Sequence, residues 1–87
     1  MSRSVHWHPR ASNEIEALAR RDPRLARRIR QRVAALAQTD YGNIKKLGGQ
    51  GNRWRLTVGA WRVIFTFEPL GAISVLTVLP RKDAYRA

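Results

Sequence analysis

Residues 53–80 read RWRLTVGAWRVIFTFEPLGAISVLTVLP, and this segment decides the predicted fold. Apolar residues alternate with arginine and threonine in its first part, which is the side-chain period of a β-strand with one face against a core. The sequences Gly59–Ala60 and Pro69–Gly71 are typical of tight turns. The segment therefore predicts a meander of three antiparallel strands. Their expected bounds are 53–58, 61–68 and 72–79.

A two-residue turn at Gly59–Ala60 also sets the register of the first two strands. Thr57 then lies opposite Arg62, and Arg55 lies on the same face two residues earlier. The second strand is apolar on both faces apart from Arg62, Thr66 and Glu68, as expected of a central strand. The face suited to packing against helices carries Trp54, Leu56, Val63, Phe65 and Phe67. The sequence thus predicts a sheet with one covered face and one open face that carries arginines.

The residues before this segment predict a short strand and then a helix. Apolar and polar residues alternate in the segment 4–8, which indicates a strand that Pro9 ends. The helix begins either at Pro9, a residue that suits a first helical turn, or about one turn later, because Asn13 and Glu16 have the spacing of a capping box. Its expected end is at residues 20–21.

A second helix is predicted from Pro23 to about Gln38. Asp22 before Pro23 is a favourable N-cap and first-turn pair, and apolar residues recur from there at intervals of four and three, as on the buried side of an amphipathic helix. Since almost no linker separates the two helices, they should fold back as a hairpin. The prediction is a single α+β domain, residues 1–87, with the order β-αα-βββ and the helices on one face of the sheet.

The composition is strongly basic. The chain has 87 residues, with 17 Lys and Arg against six Asp and Glu, so its formal net charge is +11. Such an excess predicts a polyanionic or acidic partner. All of the basic residues except Lys45, Lys46 and Lys82 are arginines, and the guanidinium group favours forked contacts with phosphate or carboxylate.

The same composition argues against several kinds of chemistry and location. The chain has no cysteine, which excludes disulfides and thiolate chemistry, and two histidines with few carboxylates do not suggest a metal site. We expect no metal and no cofactor. No segment has the apolar core of a signal peptide or the roughly 20 apolar residues of a membrane span. We expect a cytoplasmic protein without membrane contact.

Three elements of the sequence carry a resemblance to a known family: KKLGG at residues 45–49, WRLTVGAWRVIF at 54–65 and VLPRKDAYR at 78–86. They resemble toxins of the RelE/ParE superfamily from bacterial type II toxin–antitoxin systems. A RelE-like toxin is an endoribonuclease that cleaves mRNA in the ribosome and is silenced by a cognate antitoxin. The resemblance therefore implies three partners, namely the antitoxin, the ribosome and mRNA.

The resemblance to RelE implies a catalytic set made of Arg55, Arg62, Arg81 and Tyr85. RNA cleavage without a metal uses the 2′-hydroxyl as nucleophile on the adjacent phosphate, and positively charged donors stabilise the charge that develops on phosphorus. Arg62 is the first candidate for that task, and Arg81 would share the phosphate or assist the leaving oxygen. Tyr85 has two open roles: it acts on the nucleotide at the cut, or it packs its ring against the sheet and anchors the C-terminus.

Further residues are predicted to bind RNA around this set. The sequence departs from the RelE pattern at Thr57, where some RelE toxins carry a second lysine. A threonine hydroxyl cannot act as a base at neutral pH. The sequence therefore assigns no general base. The predicted RNA-binding residues are Lys45, Lys46, Arg53, Thr57 and Lys82.

Arginines also crowd the two predicted helices. Seven lie between residues 20 and 32, and like charges at this density repel one another unless a counter-charge is near. In a RelE-like toxin, either ribosomal RNA or an acidic segment of the antitoxin would supply that counter-charge. The seven residues are Arg20, Arg21, Arg24, Arg27, Arg28, Arg30 and Arg32.

Two other functions stay open at this point. A ParE-like toxin shares the same fold but inhibits DNA gyrase without cleaving RNA, and an inactive relative would only bind nucleic acid. Because one fold serves all three, the fold alone does not distinguish them. The catalytic set favours the ribonuclease.

Overall fold

The computed structural model of the chain describes residues 2–49 and 51–84, with side chains up to residue 82. This part of the chain forms a mixed sheet of five strands with two helices on one face and a third, short helix after the last strand. The α+β class and the predicted β-αα-βββ order are confirmed, and the structure adds the second strand and the third helix. The elements are β1 (Val5–Trp7), α1 (Pro9–Arg21), α2 (Pro23–Thr39), β2 (Ile44–Lys46), β3 (Arg53–Val58), β4 (Trp61–Phe67), β5 (Ile73–Pro80) and α3 (Arg81–Ala84).

The strands lie in the order β1-β5-β4-β3-β2, with β1 parallel to β5 and the other neighbours antiparallel. Between β3 and β4, Thr57 lies opposite Arg62 and Val58 opposite Trp61, so the predicted register is confirmed. Gly59 has a φ of 58°, the left-handed conformation required of a glycine that opens a two-residue turn. The short turn is what brings the two strands into this register.

The turn between β4 and β5 is longer than predicted. β4 ends one residue earlier than expected, at Phe67, and β5 begins one residue later, at Ile73. Glu68 and Ala72 belong to the turn, since the Glu68 N–H donates to the Ala72 carbonyl at 2.7 Å. Gly71, with φ 98°, donates its N–H to the Glu68 carbonyl at 2.9 Å, as in a hairpin loop that closes with glycine. Pro80 is the last residue of β5 instead of the first residue beyond it. It is tolerated there because β1 pairs only with the beginning of β5, at 73–75.

Both helices begin at a proline. α1 starts at Pro9, the earlier of the two predicted positions, because Ala11 and Ile15 are fully buried and the first turn already packs on the core. α2 starts at Pro23, and the Asp22 carboxylate accepts a hydrogen bond from the Leu25 N–H at 3.2 Å, which confirms the predicted cap. The helical hairpin is therefore anchored by local sequence at both starts.

The hydrophobic core fills the space between the hairpin and one face of the sheet. α2 contributes Ile29, Val33 and Leu36, and the sheet contributes residues such as Val63 and Phe65 from its central strand β4. Removal of side-chain atoms from positions as buried as these typically costs about 2–5 kcal/mol of stability. Since both long helices use this face, the opposite face is left for other contacts.

Two short elements were not predicted. β2 has only three residues and gains its stability from pairing with β3, a contact that its own composition does not reveal. α3 follows directly on β5, where the sequence suggested only a basic tail. Among the helices of the described residues, none combines the length and the apolar composition that a bilayer crossing requires.

Candidate active site

The sheet face away from the helical hairpin carries most of the predicted site residues. Strand alternation and the register of β2, β3 and β4 place them in adjacent rows on this side. We call it the arginine face. The residues that β2, β3 and β4 contribute to it are Lys45, Arg53, Arg55, Thr57, Arg62, Ile64 and Thr66.

Arg62 is buried in the middle of this face, with only 7% of its surface exposed. Its Nη1 donates to the backbone carbonyls of Gly59, at 3.0 Å, and Trp61, at 2.9 Å. The guanidinium group therefore folds back onto the β3–β4 turn. Its Nε is buried and has no hydrogen-bond partner among the described residues. The expectation of a fully open arginine face is wrong at this position, because Arg62 lies on a central strand and its side chain is held by the turn.

Arg55 lies beside Arg62 and shares its unusual environment. It is half-buried, opposite Lys45 on β2 and Ile64 on β4. This position is diagonal to Arg62 on the neighbouring strand, and such residues typically have Cα atoms about 7–8 Å apart. The Nε of Arg55 is also buried without a hydrogen-bond partner in the described part of the chain. The structure thus places Arg55 and Arg62 on one face of adjacent strands, as the register predicted.

Among the described side chains, no carboxylate forms an ion pair with Arg55 or Arg62. The ion pairs of the described residues are Arg3 with Asp40, at 2.7 Å, and Arg10 with Glu14, at 3.7 Å, and neither involves the arginine face. A buried donor without a partner and a buried charge without a counter-charge are both costly. An oxyanion at the accessible edge of the two guanidinium groups would supply the missing counter-charge, and phosphate matches their forked geometry.

Arg81 lies at the same end of the sheet as Arg62. Its N–H donates to the Ala60 carbonyl at 2.7 Å, so the start of α3 is fixed to the β3–β4 turn. The side chains of Arg81 and Lys82 are exposed, and together with Ala60 and Pro80 they line a shallow hollow of about 400 Å³. Two further cations therefore lie at the edge of the site. The fourth predicted catalytic residue, Tyr85, lies outside the described residues.

The remaining predicted RNA-binding residues are divided between the two faces. Lys45 is exposed next to Arg55 on the arginine face, whereas the exposed Lys46 lies opposite Trp54, whose side chain packs toward the core. Arg53 is exposed on the arginine face, one step farther from the β3–β4 turn than Arg55. The structure therefore brings Lys45 and Arg53 to the arginine pair and places Lys46 on the other side of the sheet.

Thr57 is the direct neighbour of Arg62 across β3 and β4. It is half-buried, and its N–H donates to the Asn43 carbonyl at 2.9 Å. Its hydroxyl can hydrogen-bond a ligand oxygen beside Arg62. It supplies no base, so the arginine face is better suited to binding and polarising an anion than to moving a proton.

Sequence reasoning missed one residue that organises this end of the sheet. The Glu14 carboxylate on α1 accepts hydrogen bonds from Thr77 and Val78 of β5, the strand that leads to Arg81. A weak signal exists in the sequence, since Glu14 lies at the border of the apolar stripe formed by Ala11, Ile15 and Leu18. A carboxylate at such a border is close enough to reach the sheet.

Comparison with known proteins gives consistent results. The sequence profile of the family described as ParE toxin of type II toxin-antitoxin system, parDE, matches residues 5–85. A search of curated proteins gives no significant match. The fold is similar to a chain of the RelBE2 toxin–antitoxin complex from Mycobacterium tuberculosis, with a TM-score of 0.78 and 15% identity over 93% of this chain and 100% of that chain.

Two further solved structures support the same architecture. A chain of the archaeal RelE–RelB complex from Pyrococcus horikoshii has a TM-score of 0.75 and 23% identity, covering 93% of this chain and 97% of that one. The YoeB dimer from Staphylococcus aureus has a TM-score of 0.75 and 12% identity, covering 91% of this chain and 97% of that one. At these identities the likeness concerns the fold alone.

Proposed function

The chain belongs to the ParE toxin family of type II toxin–antitoxin systems, and from this premise we propose that it is a ribosome-dependent endoribonuclease of the RelE-like branch. It is a toxin with the fold shared by RelE, ParE and YoeB proteins. One observation carries the proposal: Arg55 and Arg62 lie diagonally on one face, each with a buried Nε that lacks a partner among the described residues. Such a pair fits the phosphate of an RNA backbone.

The proposed reaction is a transfer at phosphorus. The ribose 2′-oxygen forms a bond to the adjacent phosphorus, and the bond from phosphorus to the 5′-oxygen of the next nucleotide breaks. The 2′-hydroxyl loses a proton and the leaving 5′-oxygen gains one, so the products are a 2′,3′-cyclic phosphate and a 5′-hydroxyl. Between these states the phosphoryl oxygens carry additional negative charge, which is where fixed cationic donors have their largest effect.

The arginines have distinct roles in this proposal. Arg62 is held by the Gly59 and Trp61 carbonyls, so its free edge is oriented before RNA arrives and little reorganisation is needed. Arg55 contacts the same phosphate from the neighbouring strand. Arg81, exposed at the start of α3, binds the leaving oxygen or the next phosphate along the chain. Lys45 and Arg53 extend the positive track on β2 and β3, and Thr57 hydrogen-bonds a phosphate or ribose oxygen.

We assign the two proton transfers of this reaction to groups other than the described side chains. Tyr85 is one candidate, and groups of the ribosome that surround the mRNA are the other. This division explains a dependence on the ribosome, since the arginine face supplies charge stabilisation but no base. Because mRNA is translated in the cytoplasm, the proposal also implies that the protein acts there.

A cognate antitoxin is the expected protein partner. Two of the similar structures described above are toxin–antitoxin complexes, and the family is defined by such pairs. With a net charge of +11, this chain would bind an antitoxin segment that is acidic. The antitoxin would inhibit the toxin if this segment, or the part of the antitoxin next to it, covers the arginine face.

Inhibition of DNA gyrase is the second candidate function. The matching family is named for ParE, and the arginine face has no carboxylate or histidine beside Arg62 among its described residues. A face without a base is compatible with a toxin that binds another protein and performs no chemistry. The two candidates therefore differ in whether the arginine pair holds a scissile phosphate.

Mapping of mRNA 5′ ends after brief expression of the toxin separates the candidates. The ribonuclease proposal predicts new 5′-hydroxyl ends inside translated codons, and none in a strain that expresses Arg62→Ala to the same level. Glu16→Ala, which removes an exposed charge from the hairpin, serves as a control and should cleave like the wild type. Intact mRNA together with broken or incompletely supercoiled DNA would overturn the proposal in favour of gyrase.

A further inference from the structure

The outer edge of β5 is covered by β1 along its first half and by the carboxylate of Glu14 along its second half. β1 pairs with β5 only at Ile73–Val75, and the His8 N–H makes the last backbone contact, to the Val75 carbonyl at 2.9 Å. Two residues later, Glu14 Oε1 accepts from the Thr77 hydroxyl at 2.7 Å and from the Val78 N–H at 2.9 Å. Glu14 thus satisfies a backbone donor that would otherwise lack a partner at the edge of the sheet.

These hydrogen bonds follow directly after an irregularity in β5. Ile64 pairs with Thr77 whereas Phe65 pairs with Val75, so Leu76 is an extra residue in the strand. A bulge of this kind bends the strand and increases its local twist. Because Glu14 binds the two residues after the bulge, it fixes the direction in which the rest of β5 continues.

That continuation leads into the proposed active site. Leu79 lies opposite Arg62 and Pro80 opposite Trp61, and the next residue, Arg81, donates its N–H to the Ala60 carbonyl. A change in the direction of β5 after the bulge would therefore strain these contacts and shift Arg81 relative to Arg62. The distance between these two arginines matters if both contact one RNA backbone.

We infer that Glu14 is a positioning residue of the proposed ribonuclease site, which sets the end of β5, and with it Arg81, against Arg62. The inference rests on the proposed function for its catalytic part only. Glu14 lies on α1, at the sheet edge, and contacts neither Arg62 nor Arg81 by hydrogen bond or ion pair within the described residues. Its effect on the reaction is indirect.

The other carboxylates with defined contacts do not bind the second half of β5. Asp22 caps α2, Asp40 binds Arg3, and Glu68 accepts from the hydroxyl of Thr66 beside it. Glu14 also lies 3.7 Å from Arg10 one turn earlier, but that pair is long and its arginine is well exposed, so it contributes little. The hydrogen bonds to β5 are therefore the main interactions of the Glu14 side chain.

The test compares Glu14→Ala with Glu14→Gln in the purified toxin. Glu14→Ala removes the acceptor, and we expect hydrogen exchange of the Val78 amide to accelerate about tenfold or more, the factor that corresponds to the loss of one hydrogen bond. We expect mRNA cleavage on programmed ribosomes to fall about 10–10²-fold, since small displacements of catalytic groups have effects of this size. Glu14→Gln retains an oxygen acceptor and should restore most of both properties.

Two controls separate positioning from charge and from stability. Glu16→Ala removes an exposed carboxylate two residues away on α1, so it matches the charge and helix-propensity change without touching β5. Ile29→Val removes a methylene from the core on α2 and lowers stability away from β5. Both should leave the Val78 amide and the cleavage rate of the folded protein within about twofold of wild type, a margin well below the effect of losing one hydrogen bond.

The outcomes distinguish this inference from the proposed function. Unchanged exchange of the Val78 amide in Glu14→Ala overturns the structural basis, whether or not the toxin cleaves RNA. Faster exchange with wild-type cleavage overturns the positioning role and leaves the ribonuclease intact. If Ile29→Val loses as much cleavage as Glu14→Ala, the loss is explained by lower stability, and the inference is overturned as well. If the wild type itself does not cleave mRNA, the proposed function fails, but the exchange of the Val78 amide still tests the hydrogen bond from Val78 to Glu14.

Discussion

The arginines of the sheet and those of the helical hairpin are the same residue type in opposite environments. Arg55 and Arg62 lie on β3 and β4, each with a buried Nε that lacks a partner among the described residues. The seven arginines between residues 20 and 32 are all exposed. Exposed charges are screened by salt and water, whereas buried guanidinium groups interact strongly and in fixed directions. Under the proposed function, we therefore expect the sheet arginines to act on the scissile phosphate and the hairpin arginines to attract the RNA or the antitoxin.

The largest effect expected from this difference is that of Arg62. Arg62→Ala should lower single-turnover cleavage of mRNA on programmed ribosomes by about 10²–10³-fold, as for loss of one oriented donor to a developing oxyanion. Arg62→Lys should recover little, because an ammonium group cannot hold the Gly59 and Trp61 carbonyls and also present a fork to phosphate. A loss below about threefold would place Arg62 outside the reaction, and circular dichroism would confirm that each variant is folded.

Arg55 should show a smaller effect of the same kind. It is half-buried and, unlike Arg62, has no defined hydrogen bond to the described backbone, so its side chain is less oriented. Arg55→Ala should reduce the same rate about 10–10²-fold, the range for loss of a hydrogen bond to a charged group. An Arg55→Ala loss equal to that of Arg62→Ala, with no further loss in the double variant, would show that the two act as one unit.

The hairpin arginines should change affinity and its salt dependence without changing the chemical step. Replacement of Arg24, Arg27 and Arg28 by glutamine should weaken binding to ribosomes and reduce the slope of log K against log salt by about 0.7–0.9 for each phosphate that is no longer neutralised. The rate at saturating ribosome concentration should stay close to wild type. An unchanged slope combined with weaker antitoxin binding would assign this surface to the antitoxin instead.

The smallest expected effect separates two adjacent lysines on β2. Lys45 lies next to Arg55 on the arginine face, whereas Lys46 lies opposite Trp54 on the other face. Lys45→Ala should weaken RNA binding by up to about fivefold, since exposed ionic contacts are worth up to about 1 kcal/mol. Lys46→Ala should have almost no effect on the same binding measurement. Equal effects would mean that RNA contacts both faces of this edge.

The parts of the fold that follow from neighbouring residues could be predicted from the sequence. The Gly59–Ala60 turn fixed the β3–β4 register, and Asp22 with Pro23 fixed the start of α2. The burial of Arg62 could not be predicted, because it depends on how its guanidinium folds back onto the turn. Glu14 bonds to Val78, 64 residues away, and only the assembled fold brings these two positions together.

Cleavage of an mRNA with a single altered sugar tests the central claim most directly. Ribosomes are programmed with an mRNA that carries a 2′-deoxynucleotide immediately 5′ of the mapped cut, and with an all-ribose mRNA as control. If the arginine face stabilises attack by the 2′-oxygen, the wild-type toxin cuts the control to a 2′,3′-cyclic phosphate and leaves the altered position intact. Equal cleavage of both mRNAs, or cleavage of neither while gyrase is inhibited, would contradict the account.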